Sequence, residues 1–207
     1  DVKRHGMKIV IDDKLPRDLS DMTSTLVKVK ALKPDLLVVS GHSKGAALVV
    51  RQMNDLGVHV KMLALTHCES AKLHDTEKFG NLADYALCAA QWAPSVTSEG
   101  VMFGTASNYS AIFVDEYGYV PPYQAAESTA AVLVMADALT RAGSLDKDAV
   151  RDALAATDMS TFYGQIKFSE AGNNIAKPML LRQLIDGKYY VVAPANVADT
   201  ALVYPRP

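Results

Sequence analysis

The sequence is short of the features that mark most specialised classes of protein. It holds two cysteines and one tryptophan among 207 residues, and its 21 basic and 23 acidic side chains nearly cancel, to a net charge of −2. Because there is no basic excess, the electrostatic footprint of a nucleic-acid-binding protein is missing, and no nucleic acid is expected as a partner. No apolar run approaches the roughly 20 residues that a membrane-spanning helix needs, so direct membrane insertion is not expected either.

The two cysteines, Cys68 and Cys88, match no zinc-binding spacing. No cluster of His, Asp, Glu and Cys has the spacing of a metal site, and no glycine-rich loop is suited to cradling a phosphate. The sequence therefore predicts neither a metal nor a cofactor. A disulfide would suit an oxidising compartment, whereas two buried free thiols fit the sequence at least as well.

The first 92 residues alternate between predicted strands and helices. The helical segments carry apolar residues on one face, as Met22, Leu26 and Val29 do. The predicted strands are MKIVID (7–12), DLLVVS (35–40), VKMLALT (60–66) and DYALCAAQW (84–92), with helices near 21–33, 43–55 and 69–79 between them. Because DLLVVS is continuously apolar, we expect both of its faces to be covered. The alternation predicts a parallel sheet with helices on its faces.

The pattern changes after Trp92. Residues 93–100 read as a linker, and they are followed by predicted helices at about 105–117, 122–142 and 146–156 and by short strands over 161–204. Asp186-Gly187 between two apolar runs predicts a β-hairpin. The longest helix has a wide apolar stripe that must pack on a sheet, yet the residues after 100 supply only short strands. We therefore expect that the chain is a piece of a larger protein or that its partner segment is a separate chain.

A G-x-S-x-G motif, Gly41-His42-Ser43-Lys44-Gly45, stands between a predicted strand and a predicted helix. This is the local pattern of a hydrolase nucleophile elbow, which also requires an acid and then a histidine later in the chain. No histidine follows His74, so the late histidine of that layout is missing. The alternative is that the two glycines permit a tight turn and that Ser43 caps the helix. His42 and Ser43 would then lie at the carboxyl end of a parallel strand, where open α/β sheets bind ligands.

Several ordered segments together resemble one family. These are DMTSTLVKVKALKPDLLVVSGHSKGAALVVRQMNDLG, QWAPS, YGYVPPYQAAESTAAVLVMADAL, AGSLDKDAVRDALAATDMSTFYGQIKFSEAGNN and KPMLLRQLIDGKYYVVAP. They are similar to the branched-chain amino acid and amide class of type I periplasmic solute-binding proteins, the receptors of ABC importers. The resemblance runs over essentially the whole chain and corresponds to the C-terminal part of such a protein. The lack of signal-peptide features in the opening DVKRHGMKIV is then expected.

The resemblance implies an α/β fold of two Rossmann-like lobes, each with a parallel sheet, joined by a hinge. Residues 1–92 would form most of the second lobe, 93–99 a hinge crossing, and 100–207 a contribution to the first lobe with a further crossing near 160–180. The implied function is to bind a small organic solute between the lobes, without chemistry, and to deliver it to a membrane permease of an ABC transporter. The solute would be a branched-chain amino acid, an amide or an aromatic acid. The location would be periplasmic, or extracytoplasmic with a lipid anchor in a Gram-positive cell.

The resemblance also points to candidate ligand-binding residues. His42 and Ser43 match a second-lobe loop that faces the ligand, and Thr66 and His67 follow the next strand, where amino acid receptors tend to carry an acid for the ammonium group. This chain has no acid at that turn until Glu69. The remaining candidates are Gln91 and Trp92 at the presumed crossing and Tyr123 and Glu127, four residues apart on one helical face.

Each candidate also has a structural explanation. His42 and Ser43 can simply form the turn at a helix start, and His67 can be a loop histidine with local hydrogen bonds. Trp92 can pack the hinge, and Glu127 can be a solvated helix residue. Two other functions stay open, a serine esterase using Ser43 and the ligand-sensing domain of a regulator or receptor on the same fold.

Overall fold

The computed structural model describes residues 2–207, which divide into two compact units. Unit 1 comprises the described residues up to Ala89 together with Leu181–Val192 and Thr200–Pro207, and unit 2 comprises Ala90–Leu180 and Ala193–Asp199. The α-helices of the described residues are α1 (Thr23–Leu32), α2 (Ser43–Asp55), α3 (Thr76–Phe79), α4 (Ala106–Tyr117), α5 (Tyr123–Ala142) and α6 (Lys147–Ala155). The strands are β1 (Leu36–Val39), β2 (Met62–Leu65), β3 (Leu87–Ala90), β4 (Glu99–Gly100), β5 (Gly104–Thr105), β6 (Asp158–Thr161), β7 (Gly164–Lys167), β8 (Leu180–Ile185) and β9 (Lys188–Ala193).

A five-stranded sheet in the order β1-β2-β3-β8-β9 organises unit 1. β1, β2 and β3 run parallel, with Leu37 opposite Leu63 and Ala64 opposite Leu87. Helices connect these strands because a parallel pair cannot be joined by a short turn. The prediction of an α/β fold with a parallel sheet is confirmed, and the predicted boundaries of α2 hold at both ends.

The core of unit 1 lies between this sheet and its helices. Leu26 and Val29 of α1, Val49 of α2 and Leu63 of β2 are buried in it, and the predicted apolar face of α1 is therefore the face that packs. Lys33 ends α1 in the left-handed conformation, directly before Pro34, since a proline disfavours the helical conformation of the residue before it.

The two cysteines form a disulfide inside this core. Cys68, just after β2, is bonded to Cys88 of β3, and both residues are buried. The sequence left open whether the cysteines form a disulfide or are two buried free thiols, and the structure has the disulfide. It joins the loop after β2 to the neighbouring strand.

Removing this disulfide should lower the free energy of unfolding of unit 1 by about 3 kcal/mol, because a cross-link that closes a loop of this size restricts the unfolded chain. The two cysteines are separated by 20 positions. Urea unfolding with and without a thiol reductant measures the effect, and the double variant C68A/C88A is the control that should not respond to the reductant. Equal stability of the protein in its oxidised and reduced states would contradict the prediction.

Two predictions about strands are wrong. Residues 7–12 form no strand, and Met7, Ile9 and Val10 are exposed, because no strand of the described residues pairs with this segment. β1 is consequently an edge strand. Val38 on it is 60% exposed, so the expectation that both faces of this strand are covered is wrong. The predicted helix over 69–79 is also shorter, since only Thr76–Phe79 is helical.

Most of the C-terminal hairpin, Leu181–Val192, lies in unit 1 together with Thr200–Pro207, whereas the rest of the chain after residue 100 lies in unit 2. The turn of the hairpin is the predicted Asp186-Gly187, and β8 lies beside β3 in the sheet. The two residues directly before β3 also bond to β8, from Tyr85 N to Leu184 O (2.6 Å) and from Leu184 N to Ala86 O (3.0 Å). The assignment of residues 100–207 to the first lobe, with a further hinge crossing near 160–180, stays a prediction. The correspondence of each unit to a lobe stays a prediction.

Unit 2 is built on helices and a buried aromatic cluster. Its sheets are two pairs, β4 with β5 and β6 with β7. Phe162 stacks on Tyr109 with ring centroids 3.9 Å apart, and Trp92 meets both rings edge-on.

α5 begins after Pro122 and ends before Gly143, which adopts the left-handed conformation, so both of its predicted ends are confirmed.

Candidate functional site

The loop between β1 and α2 places His42 and Ser43 at the carboxyl end of the parallel sheet. His42 is the N-cap residue of α2, and its side chain makes no capping hydrogen bond. Ser43 is the first residue of the helix, so the expectation that Ser43 caps the helix is wrong. The backbone carbonyl of His42 accepts hydrogen bonds from Gly45 N (3.0 Å) and Ala46 N (3.2 Å), which fixes the start of the helix without a side-chain cap.

The motif does not have the backbone of a nucleophile elbow. Neither Ser43 nor the two glycines of the motif have a positive φ, and a Cβ added at Gly41 or Gly45 would meet nothing within 4 Å. Glycine is therefore not required for this turn, contrary to the expectation from the sequence. Within residues 2–207, no histidine forms a hydrogen bond with the Ser43 hydroxyl, and His42 Nε2 instead accepts one from Arg17 Nε at 3.0 Å.

Thr66 joins the two loops at this edge of the sheet. Its Oγ1 accepts a hydrogen bond from Gly41 N (3.0 Å) and donates one to Gly41 O (2.8 Å). Because the hydroxyl has a single hydrogen, the donor of Thr66 is used by the protein itself. Thr66 thus holds the loop after β1 against the loop after β2.

The structure brings His42 and His67 together. Their ring centroids lie 5.8 Å apart, and both residues are exposed. His67 adopts a left-handed backbone conformation, with φ of 59°, which is uncommon for residues other than glycine. Such strained positions cluster at binding sites. We call this arrangement of Arg17, Gly41–Ser43, Thr66 and His67 the loop site.

Glu69, the acid nearest to the loop site in sequence after β2, is already paired. Its Oε1 lies 2.6 Å from Arg182 Nη1, and the two side chains are only 15% and 6% exposed. Arg182 also lies over the ring of Tyr189, 4.7 Å from its centroid. Glu69 therefore neutralises a buried cation of β8 and does not take the place of the acid that the resemblance led us to look for.

Trp92, the candidate at the presumed crossing, is enclosed by unit 2. Its indole is 1% exposed, and its Nε1 donates a hydrogen bond to Phe162 O at 3.1 Å. These contacts fit the packing explanation for Trp92. Its ligand-binding role stays a prediction.

Three further candidates lie around a lysine that the sequence did not reveal. Lys177 Nζ donates a hydrogen bond to Gln91 O and lies 4.4 Å from the centroid of the Tyr163 ring. Glu127 acts electrostatically on both Lys177 and Tyr163, and Tyr123 acts on Tyr163. We call these five residues of unit 2 the lysine cluster. No sequence motif marks Lys177. The one local signal is Gly164, directly after Tyr163, because a Cβ at this position would collide with the Lys177 side chain.

Neither a metal site nor a membrane-spanning helix is found among residues 2–207. No group of three or more His, Cys, Asp and Glu side chains in this range could hold a metal ion, and no helix in it is long and apolar enough to cross a bilayer.

The sequence matches a known family over most of its length. A sequence profile of the family described as periplasmic binding protein matches residues 1–188. The chain belongs to the periplasmic binding protein family. The resemblance found in the sequence segments is thereby confirmed.

Solved structures share the fold. The leucine-binding protein LivK of Thermotoga maritima has a TM-score of 0.74 and 23% identity, over 85% of this chain and 49% of its own. LivJ of Streptococcus pneumoniae, a branched-chain amino acid substrate-binding protein solved with isoleucine, has a TM-score of 0.73 and 20% identity, over 98% of this chain and 55% of its own. An ABC-transporter solute-binding protein of R. palustris, solved with benzoate, has a TM-score of 0.71 and 20% identity, over 97% of this chain and 54% of its own. The chain thus spans about half the length of these structures and has the type I periplasmic binding fold.

Proposed function

We propose that this chain is part of an extracytoplasmic substrate-binding component of an ABC importer, which binds a small organic solute and presents it to a membrane permease. The protein performs no chemistry on the solute. Family membership supports the general function, and the similar structures solved with isoleucine and with benzoate support a small organic solute.

The loop site is the observation that carries the proposal. Two loops at the carboxyl ends of adjacent parallel strands are joined by Thr66, and they present two exposed imidazole rings 5.8 Å apart. Ligands bind at this edge of open α/β sheets. Imidazole rings can both stack on a flat solute and form hydrogen bonds with its polar groups. We propose His42 and His67 as ligand-contacting residues and Thr66 as the residue that positions them.

The test is a solute screen on the full-length protein by thermal shift, with leucine, isoleucine, benzoate and benzamide as first probes. A bound solute at 100 times its Kd should add about 2.7 kcal/mol of apparent stability. His42→Ala and His67→Ala should each weaken binding by about 10-fold, which corresponds to one lost hydrogen bond or ring contact. His59→Ala, an exposed histidine after α2, is the matched control and should bind as the wild type does.

Ser43→Ala separates this function from an esterase. A binding protein should keep its solute affinity within a few-fold, because Ser43 is only the first residue of α2. An esterase would instead lose its hydrolysis of p-nitrophenyl acetate. Loss of such turnover in Ser43→Ala, together with no stabilising solute, would refute the proposal.

A further inference from the structure

Unit 1 has a groove at the amino ends of its first two parallel strands. The groove has a volume of about 540 Å³, and its walls come from the residues before β1, the residues before β2 and the segment Thr200–Pro207. This volume lies in the usual range of small-molecule sites, roughly 300–1,000 Å³. The loop site lies at the carboxyl ends of the same strands, so the length of the strands separates the two places.

Four cationic side chains line the groove, which we call the basic groove. They are Lys30 and Lys33 at the end of α1, Lys61 directly before β2, and Arg206. In the part of the chain that the structure describes, the one carboxylate within 4.0 Å of these groups is that of Asp35, 2.7 Å from Lys61 Nζ. The basic groove therefore keeps an excess of positive charge, although the chain as a whole has a net charge of −2.

Backbone oxygens hold two of these cations in place. Lys30 Nζ donates a hydrogen bond to Leu56 O at 2.6 Å. Arg206 donates through Nη2 to Leu82 O at 3.0 Å and through its backbone N to Lys61 O at 2.8 Å. An ammonium group can donate three hydrogen bonds and a guanidinium group five, so both side chains have further donors for a ligand. Because these contacts already restrain the two side chains, ordering them on binding costs little.

The guanidinium group of Arg206 is partly withdrawn from water. Burial lowers the pKa of Arg206, and the charge of Asp84 opposes this shift only in part. An arginine nevertheless stays charged in the physiological range of pH. A partly desolvated charge interacts more strongly with a counter-ion than a fully solvated one, so Arg206 gains from an anion in the basic groove.

We propose that the basic groove binds a phosphomonoester, whose phosphate group contacts Lys30, Lys33 and Arg206. Three cationic groups without a carboxylate in contact suit the nearly two negative charges of a phosphate at neutral pH better than a single charge. Lysine binds phosphate as a point charge and arginine as a fork of donors. The apolar residues Pro34 and Val60 of the groove would contact the organic part of the ligand.

This second site goes beyond the proposed function and does not depend on it. A phosphomonoester group occurs on free small molecules and on the lipid phosphatidate, so the two sources need separate tests.

Isothermal titration calorimetry on the full-length protein compares glycerol 3-phosphate with glycerol. The phosphate ester should bind and glycerol should not. Lys33→Asn should weaken the binding by about 10-fold, the usual effect of losing a charged hydrogen-bond donor. Asparagine is suited to the left-handed backbone of this position, whose φ is 46°. Lys147→Asn, at an exposed lysine in the first turn of α6, is the matched control and should bind as the wild type does.

Asp35→Asn gives a second readout, a gain of affinity that lysines with a purely structural role would not show. The carboxylate of Asp35 neutralises Lys61, so its removal should tighten the binding of glycerol 3-phosphate by about 2- to 5-fold, as expected for freeing one partner of an exposed ion pair. Added sodium chloride should weaken the binding to the wild type, because salt screens exposed charges.

Cosedimentation with phosphatidylcholine vesicles, with and without phosphatidate, tests the lipid source. Binding of glycerol 3-phosphate supports a free phosphomonoester as the ligand, whereas binding to phosphatidate vesicles alone supports the lipid headgroup. The inference is overturned if neither probe binds, or if Lys33→Asn binds the probe as tightly as the wild type does. None of these outcomes affects the proposed binding of a solute at the loop site, which is measured with different probes.

Discussion

Replacing Arg182 with methionine should lower the free energy of unfolding by about 3–5 kcal/mol. The reason is that Glu69 would keep a negative charge in a site where it is only 15% exposed, with its partner at 2.6 Å removed. Breaking a buried ion pair on one side costs this much because the remaining charge is neither solvated nor paired. Urea unfolding of unit 1, monitored by far-UV circular dichroism, measures the loss.

Two controls make this prediction specific. Lys61→Met removes one partner of an ion pair with Asp35 whose side chains are 59% and 73% exposed, and it should cost at most about 1 kcal/mol. The double variant E69L/R182M replaces both charges with apolar side chains and should be more stable than Arg182→Met alone. Equal losses in Arg182→Met and the double variant would show that packing, not the unpaired charge, is responsible.

Replacing Phe162 with alanine should cost unit 2 about 3–5 kcal/mol, the usual range for removing a large aromatic side chain from a core. Phe162 is fully buried, stacks on Tyr109 and contacts Trp92 and Phe103 edge-on. Its loss would leave a cavity between rings on three different segments. The change in Trp92 fluorescence during urea unfolding reports on this cluster directly.

The matched control is Tyr117→Ala, which removes an aromatic side chain at the exposed end of α4. It should change the stability by no more than about 1 kcal/mol, as surface substitutions usually do. A loss of similar size in both variants would argue that unit 2 has no tightly packed aromatic core.

Features with local signals were predictable from the sequence. The ends of α5 follow from Pro122 and Gly143, and the C-terminal hairpin follows from Asp186-Gly187, since proline and glycine impose their conformations on the chain nearby. The strand expected over 7–12 failed because a strand also needs a hydrogen-bonding neighbour, which no local pattern provides. The same holds for the exposed face of β1, because the sequence does not say which strand lies at the edge.

Of the candidate site, too, the sequence predicted what local rules place and not the pairs that folding brings together. The rule for the carboxyl ends of parallel strands placed His42 and Ser43 at this edge of the sheet, and the family resemblance pointed to Thr66 and His67. The sequence did not predict that the rings of His42 and His67 lie 5.8 Å apart. The partner of Glu69 was not predictable, because Arg182 lies 113 positions away and nothing in either neighbourhood marks the pair. Lys177 and Arg17 were missed for the same reason: their importance comes from contacts made by folding and not from a motif.

The bridge between Cys68 and Cys88 has a consequence for the neighbouring loop. Cys68 directly follows His67, so one end of the loop is held covalently while Thr66 holds the other side to Gly41. If the loop site binds a solute as proposed, a loop restrained in this way has little freedom left to lose on binding, and the entropic cost of binding is correspondingly small. Protein made in a reducing cytosol would keep every side chain of the loop site and still lack this preorganisation.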